Sequence, residues 1–349
     1  MSTQSALLVT AVGAPITSAS DWPIPEPGPD QIQIRVTVTA LNPHDQRSRD
    51  MGLFVNDNLP AILGNDVAGV VTAVGPHVTK FKPGDRIFTY GAMTADHAQK
   101  GLQQYALADE DFASLVPEGF SDHDIATLPV NISAGVVALF DESGLGIPAP
   151  WTEEARTFDY AGTQVLIVGG GSNCGRFGVQ LATLAGIGKI VVVGGNEEEL
   201  KRFGATHVLN RHGGHDLVLQ RIRDVVGDDL LYCYDAVNPP DAQLLGINAL
   251  SHTKKGKLAR LLSFGQPGGS HVPDKKVGFE VKNVLGVPQL WPQTAKPFFE
   301  RVAEYLSLGK IVPLKYDVAA GLDADKVNDV LDRYRDGKPV VQTHLRISG

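Results

Sequence analysis

The strongest chemical signal in the chain is the segment Val165 to Gln180, VLIVGGGSNCGRFGVQ. Four apolar residues run into a glycine-rich turn and then into a helical pattern, FGVQLATLAG, which is the context a dinucleotide-binding fingerprint requires. Glycines in such a turn let the backbone approach a pyrophosphate, and the amides at the start of the following helix face its negative charge. Aligned as Gly170, Ser172 and Gly175, the fingerprint carries Ser at its second glycine position. Gly171, Asn173 and Cys174 complete the expected phosphate turn, and Phe264 and Gly265, closing the strand pattern ARLLSFG, are further expected cofactor contacts. Cys174 stands where helix amides lower a thiol pKa, or simply packs as a small side chain beside the phosphates.

The second apolar strand pattern, KIVVV, bears on which dinucleotide is bound. A site for NAD offers Asp or Glu near this strand end, because a carboxylate accepts hydrogen bonds from the ribose hydroxyls and repels a 2′-phosphate. Here the strand ends in Gly194-Gly195-Asn196, the first carboxylate is Glu197, and Lys201, Arg202 and Arg211 lie close by in sequence. A neutral strand end with cations nearby favours NADPH, with Asn196 and Arg211 beside the ribose phosphate. Taken singly, each of these charges is equally well explained as solvating a helix face.

Elements able to position such a turn are visible on both sides of it. Up to about residue 100, short alternating or β-branched runs are separated by Pro and Gly clusters, as in QIQIRVTVTA at 31–40, DVAGVVTAV at 66–74 and RIFTY at 86–90. Such a stretch reads as a small antiparallel barrel. From about Ile125, helical patterns alternate with the apolar runs VLIVGG, KIVVVGG, LLYCYDAV and ARLLSFG, the signature of parallel βαβ units.

Composition narrows the function classes. With 349 residues, 43% hydrophobic and 20% charged, the chain has the apolar mass for a two-domain globular protein. A net charge of −8 gives no general attraction to polyphosphate, so nucleic acid is not an expected partner. Only Cys174 and Cys233 are present, too few for a disulfide framework or a four-thiolate zinc site. The first residues, MSTQSALLVT, do not read as a targeting segment and no apolar run approaches the roughly 18 residues of a membrane helix, so a cytoplasmic protein without membrane contact is expected.

Across nearly its whole length the chain resembles the medium-chain dehydrogenase/reductase superfamily, specifically the zinc-free quinone oxidoreductase and fungal trans-enoyl reductase-like branch. The residues that carry the resemblance are LNPHD at 41–45, LPAILGNDVAGVVTAVGPHVTKFKPGDRIF at 59–88, ATLPVNISAGVVALF at 126–140, GGGSNCGRFGVQLA at 169–182, FGATHVLNR at 203–211 and LGKIVPL at 308–314. The resemblance implies an α/β protein with a GroES-like β-barrel catalytic domain and a doubly wound parallel-sheet Rossmann cofactor domain. The catalytic domain would span 1–128 and return over 290–349, and the Rossmann domain would fill 129–289. It further implies a cleft between the domains where nicotinamide meets a small-molecule substrate, a contact from Asn42 to the cofactor, and a homodimer.

Position by position, the resemblance also implies a metal-free site. Zinc-dependent relatives carry Cys at the place of Asn42, a His-Glu pair at the place of Asn65-Asp66, and another Cys near Pro129; none of these ligands is present. Enoyl reductases of the superfamily often use a Tyr in a Gly-x-Tyr element, and the matching residues are Gly52-Leu53-Phe54. Some fungal members manage with a pre-organised cofactor and solvent protons. His44, at a position that carries a proton-relay hydroxyl in zinc enzymes, is the candidate acid, or else it caps a turn or bonds to Asp45. Tyr90, expected in a loop after RIF, is the second candidate, or else a packed ring with a wetted hydroxyl. His97 and His123 have no partner at ligand spacing and are expected at the surface. The expected activity is NADPH-dependent hydride transfer to an activated C=C or C=O, with zinc-free alcohol oxidation and non-catalytic NADPH binding as the alternatives.

Overall fold

In the computed structural model, residues 2–237, 244–261, 275 and 277–348 are described. Phe264 and Gly265 lie outside the described residues.

The chain opens with β1 (Thr3–Leu8), β2 (Thr17–Pro23), β3 (Gln31–Ala40), α1 (Pro43–Met51), β4 (Asp66–Val74), β5 (Arg86–Tyr90), β6 (Tyr105–Asp109), β7 (Ala113–Leu115) and α2 (Asp122–Ala126). It continues through α3 (Pro129–Phe140), β8 (Gln164–Val168), α4 (Asn173–Ala185), β9 (Lys189–Val193), α5 (Glu197–Arg202), β10 (His207–Leu209), α6 (His215–Val226) and β11 (Tyr232–Asp235). Then follow α7 (Leu244–Ala249), β12 (Gly256–Leu261), β13 (Phe279–Val284), α8 (Pro292–Phe299), α9 (Val302–Ser307), β14 (Tyr316–Ala320), α10 (Ala324–Arg335) and β15 (Gln342–Arg346).

Two compact units result. The first comprises Met1–Val130, Phe299–Ser307 and Pro313–Gly349; the second comprises Asn131–Phe298 and Leu308–Val312. In the first unit one sheet runs β14-β15-β3-β4-β5-β7, with β6 paired to β3, and β1 pairs β2 separately. β3 alternates in burial only as far as Arg35 and is buried from Val36 onward. The reason is tertiary: β3 has β4, β6 and β15 for neighbours, and α2 packs on β3 and β4.

In the second unit six parallel strands run β10-β9-β8-β11-β12-β13, the order of a doubly wound dinucleotide-binding sheet. β8 and β9 are buried over four consecutive residues each, which is why both read as unbroken apolar runs rather than alternating ones. The chain order reverses between β8 and β11, so the crevice at their carboxyl ends is where such sheets take ligands. The residues up to Phe298 group with this unit, nine residues beyond the expected boundary at 289. Side-chain contacts explain the difference: Thr294 Oγ1 donates to Asp141 Oδ2 at 2.6 Å, and Trp151 packs on Phe298 with ring centroids 5.6 Å apart.

Candidate functional site

In the second unit the turn after β8 is built from backbone. Gly169 holds φ +93°, and the amides of Gly169 and Gly170 both donate to the Val193 carbonyl, at 3.0 and 3.2 Å. A Cβ on Gly170 would stand 2.3 Å from Val192 Cγ1 and 2.6 Å from the Gly194 carbonyl, and one on Gly175 would stand 2.3 Å from the Gly169 carbonyl. No side chain fits at either position without opening the turn. Ser172, at the expected second glycine position, is the N-cap of α4: its Oγ accepts from the Gly175 amide at 3.0 Å and donates to the Gly169 carbonyl at 2.9 Å. Ser172 therefore ties helix to turn.

A cavity of about 1070 Å³ opens above this turn, lined by Gly171, Ser172, Gly194, Gly195, Arg211 and His215 among others. Gly194 and Gly195, at φ +78° and +95°, make the neutral wall expected after β9. A Cβ on Gly194 would lie 3.2 Å from Arg211 Cδ, so the arginine stem rests across that glycine. The Arg211 side chain is exposed, and among the described residues it makes no ion pair. Lys201 is held by Glu197 at 2.9 Å, and Glu199 is held by Arg176 at 2.9 Å. Asn196 caps α5, its Oδ1 accepting from the Glu199 amide at 2.9 Å. Cys174 directs its Sγ to Asn131 Oδ1 at 3.4 Å. His215, at the start of α6 behind Gly213-Gly214, was not anticipated; the glycine pair before an amphipathic helix was the available signal.

In the first unit a buried polar group gathers around Asp66. Asn42, 3% exposed, donates through Nδ2 to Asp66 Oδ2 at 2.6 Å and accepts from Gln342 Nε2 at 3.3 Å. Gln342 Nε2 also reaches Asp66 Oδ2 at 3.1 Å, and the Val130 amide donates to Asp66 Oδ1 at 2.7 Å. Burial pushes the Asp66 carboxyl up to about 7 despite these three donors. Tyr90 lies directly opposite Asp66 in the β4–β5 register and is 3% exposed. It is the last residue of β5, not a loop residue, because the pairing of β5 with β4 runs through Tyr90. Burial, with the Asp66 and Asp45 charges, pushes its phenol well above the ordinary value, so it is a poor acid.

His44, 19% exposed, sits in the first turn of α1 with Nε2 at 3.0 Å from Asn65 Oδ1 and 3.6 Å from Asp45 Oδ1. Of the two bonding partners, Asn65 is the closer one. Asn65 itself is buried and donates through Nδ2 to the Gly91 carbonyl at 2.5 Å. Lys100 was missed by sequence reasoning. It is 3% exposed, with Nζ at 3.5 Å from the Gly91 carbonyl and 3.2 Å from Met93 Sδ. Among the described residues no carboxylate pairs with it, and burial pulls its ammonium down to about 7, opposed by the Asp45 charge.

Two histidines expected at the surface are not there. His97 is 3% exposed, holds φ +56° and has Nε2 at 2.6 Å from the Asn58 carbonyl. His123 is half-buried and stacks with Tyr316 and His344, ring centroids 5.4 and 5.6 Å apart. Among the described residues, no three His, Cys, Asp or Glu side chains stand together in a way that could hold a metal ion.

Comparison with known proteins adds three kinds of finding. Residues 28–122 match the alcohol dehydrogenase GroES-like domain, and residues 174–303 match the family described as zinc-binding dehydrogenase. Dehydrogenase orsE of Emericella nidulans is 30% identical over 354 residues, covering 97% of each chain. Trans-enoyl reductase grgB of a Penicillium species is 29% identical over 270 residues, covering 73% of each chain. Among solved structures, the quinone oxidoreductase of Pseudomonas syringae pv. tomato DC3000 superposes with a TM-score of 0.75 at 20% identity, covering 99% of this chain and 100% of the other. That last likeness is one of fold.

Proposed function

The chain belongs to the medium-chain dehydrogenase/reductase superfamily, and from that premise we propose that it is an NADPH-dependent reductase of an activated C=C or C=O in a small molecule, working without zinc. The candidate substrates are enones, quinones and enoyl thioesters; the names of its trans-enoyl reductase relatives and quinone oxidoreductase neighbours support enoyl groups and quinones among them. The observation that carries the reading is the fit of the second unit to a phosphorylated dinucleotide. A turn that rejects a Cβ at Gly170 and Gly175 brings the amino end of α4, a region suited to a pyrophosphate, to the cavity, and Arg211 lies across a neutral strand end with its guanidinium uncommitted among the described residues. When bound, the dihydronicotinamide supplies the hydride.

The chain's own residues supply the rest. The second unit is assigned to holding the cofactor, through Gly171, Ser172 and Arg211, and the first to proton management. Asn42 and Asn65 stand at positions that zinc-dependent relatives fill with Cys and His, and both amides are spent on hydrogen bonds within the protein. Amide donors so committed are poor metal ligands, which favours proton donation over Lewis-acid stabilisation of the substrate oxygen. His44, the least buried member of its group, carries that proton and regains it from water.

The test is consumption of NADPH with a panel of enones, quinones and enoyl thioesters, run beside NADP with primary and secondary alcohols. Turnover on the first panel is expected. Activity confined to alcohol oxidation, or tight NADPH binding with no turnover anywhere, would replace this reading.

A further inference from the structure

We infer that Asn65 is a positioning residue that locks the neutral His44 ring as its Nε2–H tautomer and leaves Nδ1 as the nitrogen that takes up and releases a proton. The Gly91 backbone carbonyl only accepts, so the Asn65 atom 2.5 Å from it must be the NH₂ group. Met93 Sδ, a weak acceptor, lies on the same side at 3.9 Å from that nitrogen. With its NH₂ so placed, Asn65 presents Oδ1 to His44 Nε2 at 3.0 Å. An amide oxygen has no proton to give, so Nε2 must donate, and the ring proton is fixed there. The Asp45 carboxylate oxygen at 3.6 Å from the same nitrogen acts in the same direction.

Asn65 has no freedom to reverse this. It is 2% exposed, and turning its amide over would set Oδ1 against the Gly91 carbonyl, replacing a buried hydrogen bond by a contact between two acceptors. The backbone reinforces the arrangement, because the Gly91 amide donates to the Asn65 carbonyl at 2.7 Å and clips the two residues together. In the proposed reduction, protonated His44 releases the Nδ1 proton to the substrate, the N–H electron pair stays on the ring, and Nε2–H remains on Asn65 throughout. Water returns the proton to Nδ1. Proton traffic is thereby confined to one of two ring nitrogens, without a tautomer change in each cycle.

The lock stands on geometry, and its consequence for turnover rests on the reductase reading. The experiment uses full-length protein labelled with ¹⁵N in the imidazole rings, with the His44 signals identified by their loss in His44→Phe. In the neutral ring, nitrogen shifts are expected to show a protonated Nε2 and an unprotonated Nδ1, with no averaging. In Asn65→Leu the two shifts are expected to move toward each other as the second tautomer becomes populated. With an accepted substrate, kcat of that variant is expected to fall about 10-fold with KM little changed. A wild-type His44 protonated on Nδ1, shifts identical in wild type and Asn65→Leu, or an unchanged kcat would overturn the proposal. Since the nitrogen shifts need no active enzyme, failure of the reductase reading would leave the lock separately decided.

Discussion

In the second unit the candidate site is made of backbone: Gly170 and Gly175, having no side chains, let the turn close tightly on Val192, Gly194 and Gly169. In the first unit the candidate site is made of side chains, with Asp66 and Lys100 buried and no oppositely charged partner in contact among the described residues. The two regions have different weaknesses. A backbone site fails through bulk, whereas a buried polar site fails through charge, and only the second should respond to pH.

Bulk should give the largest effect. Gly175→Val puts carbon atoms against the Gly169 carbonyl, where even a Cβ would be at 2.3 Å, and is expected to weaken cofactor affinity about 1,000-fold as read by cofactor fluorescence titration. Retained affinity would mean that the turn is not the phosphate site.

Charge comes next. The Lys100 pKa is lowered in the fold to about 7 from 10.5, so between those values the unfolded chain binds the extra proton and the native protein gains stability as pH rises. Lys100→Met removes this cost. The variant should be more stable than wild type by about 3 kcal/mol near neutral pH, with the gap shrinking as pH climbs from about 7 toward 10.5 and level below 7. Denaturant unfolding across pH measures it, and a gap that widened with rising pH would contradict the buried, uncompensated cation. Asp66 has the opposite sign: its raised pKa costs stability as pH rises from 3.8 to about 7 and is level beyond.

The smallest effect sharpens the cofactor assignment. Arg211→Ala is expected to weaken NADPH about 10-fold while leaving NADH nearly unchanged, because only the 2′-phosphate needs the guanidinium. Equal losses for both would remove Arg211 from the site.

Legibility in the sequence follows the same division. VLIVGGG and KIVVVGG announced the parallel sheet and its turn, since strands covered on both faces read as continuous apolar runs and glycines mark a backbone approach. Ser172 looked like a defect in the fingerprint, and only its bond to the Gly175 amide shows it to be a helix cap. The first unit was harder to read. Tyr90 ends a short strand and by sequence could have opened the next loop; its burial comes from the register that sets it opposite Asp66. Lys100 sits in a polar stretch, HAQKGLQQ, with no periodic pattern, and nothing local distinguishes a buried lysine there from a solvated one. The end of the second unit was misplaced because the Thr294–Asp141 contact joins residues 153 apart in the chain.

The account is tested most directly by following the hydride. With NADPH deuterated at the transferable C4 position, metal-chelated protein and an accepted enone or enoyl thioester, the reduced product should carry one deuterium on carbon, while protons from water fill the remaining position. Product deuterated only from heavy water, or transfer that stops on chelation and returns with added zinc, would contradict it.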